Sequence, residues 1–175
     1  MKLVPAFILT GILVSPVALG FQGQSMIPYP NVAEVVPASA TVTGVSGNPV
    51  ILTEFDFKKL PQRTVTVTTS GTPATFQGVL LADVLAKVDL PVGEKFHKTA
   101  ASYYLSVEAK DGYRAVFAWA ELDSSFMDKP VYLVNARDGK PLSDKEGPFM
   151  LVVPDEKRNG RWVRQVTALT IKQAK

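Results

Sequence analysis

The chain contains no cysteine and a single histidine. The first absence excludes disulfides, thiolate metal ligands, iron–sulfur clusters, CxxC redox pairs and a cysteine nucleophile. The second leaves little room for a histidine-based zinc site or a Ser-His-Asp triad. There is no Gly-rich phosphate loop, no nucleophile elbow and no paired-carboxylate motif. Internal repeats and low-complexity tracts are also missing. Charge is modest: 20% of the 175 residues are Asp, Glu, Lys or Arg, with 19 cations against 16 anions. With 46% hydrophobic residues, this composition excludes a disordered chain and describes one ordinary domain.

One long apolar run is present, at the N-terminus. After Met1-Lys2, residues 3–20 are uncharged and end in Ala18-Leu19-Gly20. A basic start, an apolar stretch and a small-x-small ending read as a secretory signal peptide over residues 1–20. A retained anchor is the alternative. The run is marginal for spanning and is interrupted by Pro5, Gly11 and Pro16. Cleavage would remove Lys2 and leave a net charge of about +2. That balance gives no support to nucleic-acid binding, and no stable membrane span would remain. The expected location is periplasmic or secreted. Without cysteines, such a protein must be held by its core alone.

Residues 21–38 carry three prolines and little periodicity and read as an extended lead-in. Residues 39–175 read as the folded domain. Strands are expected at 40–45, 50–53 and 64–70 from β-branched and alternating residues. Thr53 with Asp56 reads as the N-cap of a short helix ending before Pro61. Leu80, Leu81, Val84, Leu85 and Val88 fall at helical spacing and predict an amphipathic helix of about three turns over 79–90. Strands 103–110 and 113–119 flank Asp111-Gly112, a hairpin signal. A short helix near 120–126 and a strand at 131–136 follow. Residues 137–148 read as a long loop of the kind that often serves function. The apolar run 149–154 reads as a central strand and 161–171 as the last one. The class is α+β: a strand-rich, mixed-sheet single domain with two or three short helices.

Three blocks carry a resemblance. The first is Phe76-Gln77-Gly78-Val79-Leu80-Leu81-Ala82-Asp83-Val84-Leu85. The second is the unit from Ser106 to Leu122 around Asp111-Gly112-Tyr113. The third runs from Asp138-Gly139-Lys140-Pro141-Leu142 through Glu146-Gly147-Pro148 and Leu151-Val152-Val153-Pro154 to Gly160-Arg161-Trp162-Val163. In this order they resemble the molybdopterin-binding domain of the sulfite oxidase-like molybdopterin-dependent oxidoreductases, over roughly residues 40–172. The resemblance implies that fold and a pterin pocket. In that family a cysteine thiolate ligates molybdenum, and a soft thiolate suits that metal. This chain has no cysteine, and Glu146-Gly147 stands where the family has His-Gly. Basic residues that grip the pterin phosphate in full-length members belong partly to a larger domain. The cofactor is left unknown: the resemblance is compatible with molybdopterin, while the lack of a cysteine argues against molybdenum.

Several residues are candidates for a ligand pocket, and no catalytic or metal-ligating set emerges. His97 is a surface loop histidine or a pocket hydrogen-bonder. Arg158 and Arg161, in a basic run with Lys157 and Arg164, form an oxyanion clamp or a solvated turn and strand face. Arg137 and Lys145 lie on the long loop, which borders the cofactor pocket in the resembling family. Most aromatics alternate as core residues. If a pocket exists, Tyr104 and Trp162 are placed to stack on a flat heterocycle. The expected function is an exported, non-catalytic domain of this fold, binding a small anionic or heterocyclic ligand or an envelope protein partner. The alternatives are a genuine molybdopterin-dependent oxidoreductase acting on a small oxyanion or sulfoxide, and an accessory structural subunit of an envelope complex.

Overall fold

The structure, a computed structural model, describes residues 38–69, 71–91, 96 and 98–175. The signal-peptide and lead-in assignments and His97 fall outside the described residues.

The first hairpin pairs β1 (Ser39–Thr43) with β2 (Pro49–Thr53). Its connecting turn is tied down from a distance. The Asp89 carboxylate accepts from Ser46 N–H at 2.7 Å and from the Ser46 hydroxyl at 2.9 Å. Helix α1 (Glu54–Lys58) follows at once. Thr53 caps it as expected: its hydroxyl oxygen accepts from Asp56 N–H at 3.2 Å, and the hydroxyl donates to the Asp56 carboxylate at 2.6 Å. That second bond, more than nearby lysines, holds the Asp56 carboxyl below its ordinary range. A carboxyl with a lowered folded-state pKa stabilises above its unfolded pKa and loses this as pH falls through the folded value. As the loss of an N-cap, Thr53→Ala is expected to cost about 1 kcal/mol at neutral pH. Denaturant melts should show a smaller penalty in acid; an equal penalty at both pH values would discount the Asp56 bond.

Next comes a long hairpin, β3 (Gln62–Thr69) with β4 (Thr72–Leu80), in unbroken antiparallel register from Gln62↔Val79 to Thr69↔Thr72. Here the structure corrects the sequence reading. Val79 and Leu80 lie in β4, and helix α2 is only Leu81–Leu85, followed by turns. Local helical spacing loses to ladder pairing, because β4 is bonded on both edges and Val79 is fully buried between them.

The second half begins with a one-turn 3-10 segment, Ala100–Ser102. The hairpin β5 (Tyr103–Ala109) and β6 (Arg114–Ala118) forms as expected, with Gly112 at φ +85°. Helix α3 is Trp119–Leu122 and β7 is Tyr132–Arg137. The expected long loop is not featureless. Asp138 and Gly139 have φ of +51° and +76°, a two-residue hairpin turn leading to the short strand β8 (Lys140–Pro141). Strand β9 (Met150–Val152) is buried and pairs with β7. The last strand, β10 (Val166–Gln173), starts five residues later than expected. Arg161 ends a 3-10 turn at Asn159–Arg161 instead. Gln165, at φ +49°, donates its N–H to Glu146 O and accepts from Lys110 N–H, so strand geometry begins only beyond it.

Two five-stranded sheets result: β2-β1-β10-β5-β6, and β3-β4-β7-β8 with β9 also on β7. The β1–β10 pair is parallel and the other pairs are antiparallel. One buried apolar cluster draws on both sheets, including Val42, Leu105, Val107 and Leu169 from the first and Phe76, Leu133 and Leu151 from the second. Phe57 of α1 meets Phe149, with ring centroids 5.0 Å apart. The α+β, strand-rich class holds. Among the described residues, no helix is long and apolar enough to cross a membrane.

Candidate functional site

Two neighbouring hollows open beside the turn that carries Gln165, which lines both. The larger, a groove of about 710 Å³, has an apolar floor from Leu142, Pro148 and Phe149. Its rim carries Lys58, Lys110 and Lys140 with Glu54 and Asp144. Lys58 is already committed to Glu54 at 2.7 Å. The smaller hollow, about 420 Å³, is lined by Lys145, Arg164, Asn159 and Gln165, with Tyr113, Trp162 and Asp111. Both volumes suit a small organic ligand.

The basic residues singled out in the sequence do not converge on one anion. Arg137, at the end of β7, lies over the Phe76 ring at 5.5 Å. Its guanidinium donates to Glu146 at 3.2 Å and sits 3.5 Å from Asp138. Glu146 also accepts from Ser143 at 3.0 Å. Arg161 is bound by two carboxylates: Nη1 reaches Glu121 at 2.8 Å, and Glu156 takes its Nε and Nη2. Its guanidinium lies 4.5 Å over the Phe117 ring. Partial burial opposes its charge, but the bonds to Glu121 and Glu156 outweigh this and raise its pKa. The crevice beside it, about 60 Å³, has little room for a ligand. Arg158 is exposed and Tyr104 half-buried, and neither lines a hollow described here.

Trp162 reaches the smaller hollow, but as a wall. It is buried, donates its indole N–H to Val153 O at 3.0 Å and meets Phe76 edge-on at 5.7 Å. Lys145 and Arg164 differ from Arg137 and Arg161 in one respect: neither makes an ion pair among the described residues. Both are exposed and line the same hollow. Across from them, Asp111 accepts the N–H of Tyr113 at 2.9 Å, and the Tyr113 hydroxyl donates to Gly160 O. Those bonds fix the hairpin tip that forms one wall. Of the residues lining this hollow, the sequence points to Lys145 and Trp162 as pocket candidates. Arg164 belongs to the basic run expected as a clamp or a strand face, Tyr113 to the aromatics expected in the core, where it is instead exposed, and Asn159 and Gln165 were not expected at a site. The only cue for the missed residues was the Asn159-Gly160 turn pair, since the wall depends on a contact 47 residues apart.

No family model matches the chain, and no curated protein matches it. Among solved structures it is similar to the sulfane dehydrogenase SoxCD from Paracoccus pantotrophus, with a TM-score of 0.59 and 21% sequence identity. The chain shares that fold. The match covers 77% of this chain and 38% of the other, so the domain spans well under half of that protein chain. The likeness agrees with the fold class expected from the three sequence blocks.

The donor set here does not suit molybdenum. The chain has no thiolate to offer, and the described residues contain no cluster of three His, Cys, Asp or Glu side chains that could hold a metal ion. Glu146 spends its carboxylate on Arg137 and Ser143.

Proposed function

We propose that this is an exported, non-catalytic domain of the sulfite oxidase-like fold that binds a small anion in the hollow beside Lys145 and Arg164. The observation that carries this reading is the contrast in cation pairing. Arg137 and Arg161 are neutralised by carboxylates, whereas Lys145 and Arg164 make no ion pair among the described residues and face an open concavity whose one lining carboxylate, Asp111, accepts the Tyr113 N–H. An oxyanion placed there would gain charge-assisted hydrogen bonds, with guanidinium geometry suited to two-point contact. The aromatic wall of Tyr113 and Trp162 would exclude water from one side of the ligand. Export rests on the apolar stretch over residues 3–20 and its small-residue ending.

Calorimetry with sulfite, thiosulfate, phosphate and a pterin monophosphate as separate probes tests this. At least one probe should bind one to one. Lys145→Ala and Arg164→Ala should each weaken it by about tenfold, or about 1.4 kcal/mol. Arg158→Ala should leave it unchanged. Equal binding by the wild type and both alanine variants would sink the site. Stoichiometric molybdenum with turnover of sulfite or a sulfoxide would sink the non-catalytic reading.

A further inference from the structure

Strand β3 stands at the end of its sheet, and its outer edge pairs with no strand among the described residues. Sheet edges are usually blunted by charge, proline, bulges or brevity, because open N–H and C=O groups template further pairing. The other sheet shows such devices. Its β2 edge is five residues long and begins with Pro49, and its β6 edge carries Arg114 bound to Glu108 at 3.0 Å. Strand β3 has none of them beyond Arg63. From Thr64 to Thr69 it reads Thr-Val-Thr-Val-Thr-Thr, without charge or proline, and its register with β4 has no irregularity.

The direction of its backbone groups follows from its neighbour. On β4, Thr75 turns both backbone groups away from β3: its C=O accepts from Asp138 N–H at 2.7 Å, and its N–H donates to the Asp138 carboxylate at 2.8 Å. Ala74 and Phe76 therefore bond toward β3, to their register partners Val67 and Val65. By alternation, the N–H and C=O groups of Thr64, Thr66 and Thr68 point outward. The side chains of these three threonines are exposed on one face, while Val65 and Val67 pack against the core from the other and stay only partly covered.

We propose that β3 is the pairing edge of a symmetric dimer, in which two copies join β3 to β3 antiparallel about a twofold axis at Thr66. The strand is complementary to itself in this register. Thr66 faces Thr66 of the second copy, and Thr64 faces Thr68, so all outward-pointing backbone groups of these residues pair. Val65 meets Val67 of the second copy and covers the half-exposed apolar face. Thr–Thr and Val–Val cross-strand contacts are favourable pairings. Arg63 falls opposite Thr69, so no like charges oppose one another. The neutral, self-matching pattern is why the occupant is a second copy of this chain and not a charged peptide.

Sedimentation velocity on the wild-type protein over a concentration series should show a monomer–dimer equilibrium. Thr66→Lys and Thr66→Glu each place like charges across the axis and should weaken association by at least about tenfold. Their thermal melts should stay close to that of the wild-type monomer, because Thr66 contributes no backbone bond to β4 and only an exposed hydroxyl contact to Thr75 at 3.2 Å. An equimolar mixture of the two variants should recover the dimer, and neutral Thr66→Val should retain it. A wild type monomeric at every concentration overturns the proposal. So does a dimer that survives Thr66→Lys, or a mixture that stays monomeric.

Discussion

Gly78→Ala is expected to destabilise the domain by about 3 kcal/mol or more, at the upper end of what overpacking costs. A β-carbon on Gly78 would lie 2.2 Å from Leu133 O and 2.5 Å from the Val134 α-carbon, both backbone atoms of β7. Backbone cannot rotate out of the way as a side-chain tip can. Nor can β7 move aside, because it is held by β4 on one edge and by β8 and β9 on the other. The register of β4 with β7 shifts between Gln77 and Gly78, so the glycine sits at an irregularity of the ladder where β7 backbone lies close. Urea denaturation of wild type and variant measures the difference. A loss under about 0.5 kcal/mol would mean that this close approach is not real.

Phe76→Ala should cost about 3–5 kcal/mol, the usual range for deleting a buried aromatic ring. Phe76 is 1% exposed. It meets the Trp162 ring edge-on and lies under the Arg137 guanidinium. Its removal opens a cavity beside the Trp162 wall of the proposed anion site. The expected result is therefore double: a lower urea midpoint and, in a Trp119→Phe background where Trp162 alone emits, a shifted fluorescence maximum in the folded baseline. Phe76→Leu should recover most of the stability, since it refills most of the volume. An alanine variant as stable as wild type would show that the core closes over the vacancy without cost.

Local signals carried a good part of the fold. β-Branched alternation located β1, β2, β3, β5 and β6, and Thr53 with Asp56 marked α1. These elements agree with the sequence because their cues act within a few residues. The failures share a cause. Val79 and Leu80 have helical spacing with Val84, yet they are drawn into β4 by partners on β3 and β7. Trp162 and Val163 alternate like a strand, yet Gln165 bonds to Lys110 and Glu146 and delays β10. Asp138-Gly139 carries the same hairpin signal as Asp111-Gly112, but β8 is only two residues long and has no alternation of its own to mark it in the sequence.

The site was less legible than the fold. Four arginines and lysines within Lys157–Arg164 suggest one basic surface in the sequence. Folding separates them. Arg161 turns toward Glu121, 40 residues away, and Arg164 joins Lys145 on another wall. Which cations stay available to a ligand is set by which carboxylates arrive beside them, and those carboxylates come from other elements.

The missing cysteine is a property of the sequence alone. No arrangement of this chain can present a thiolate, so that constraint on metal binding precedes any structure. Residue pattern likewise determined the strand-rich class, since alternation and turn chemistry act locally. The tertiary structure decided that Gly78 must lack a side chain, that Arg137 and Arg161 are spent on carboxylates, and that Lys145 and Arg164 share an open hollow. Each of these depends on groups brought together from distant positions, and such proximity is created only when the two sheets close over their common core.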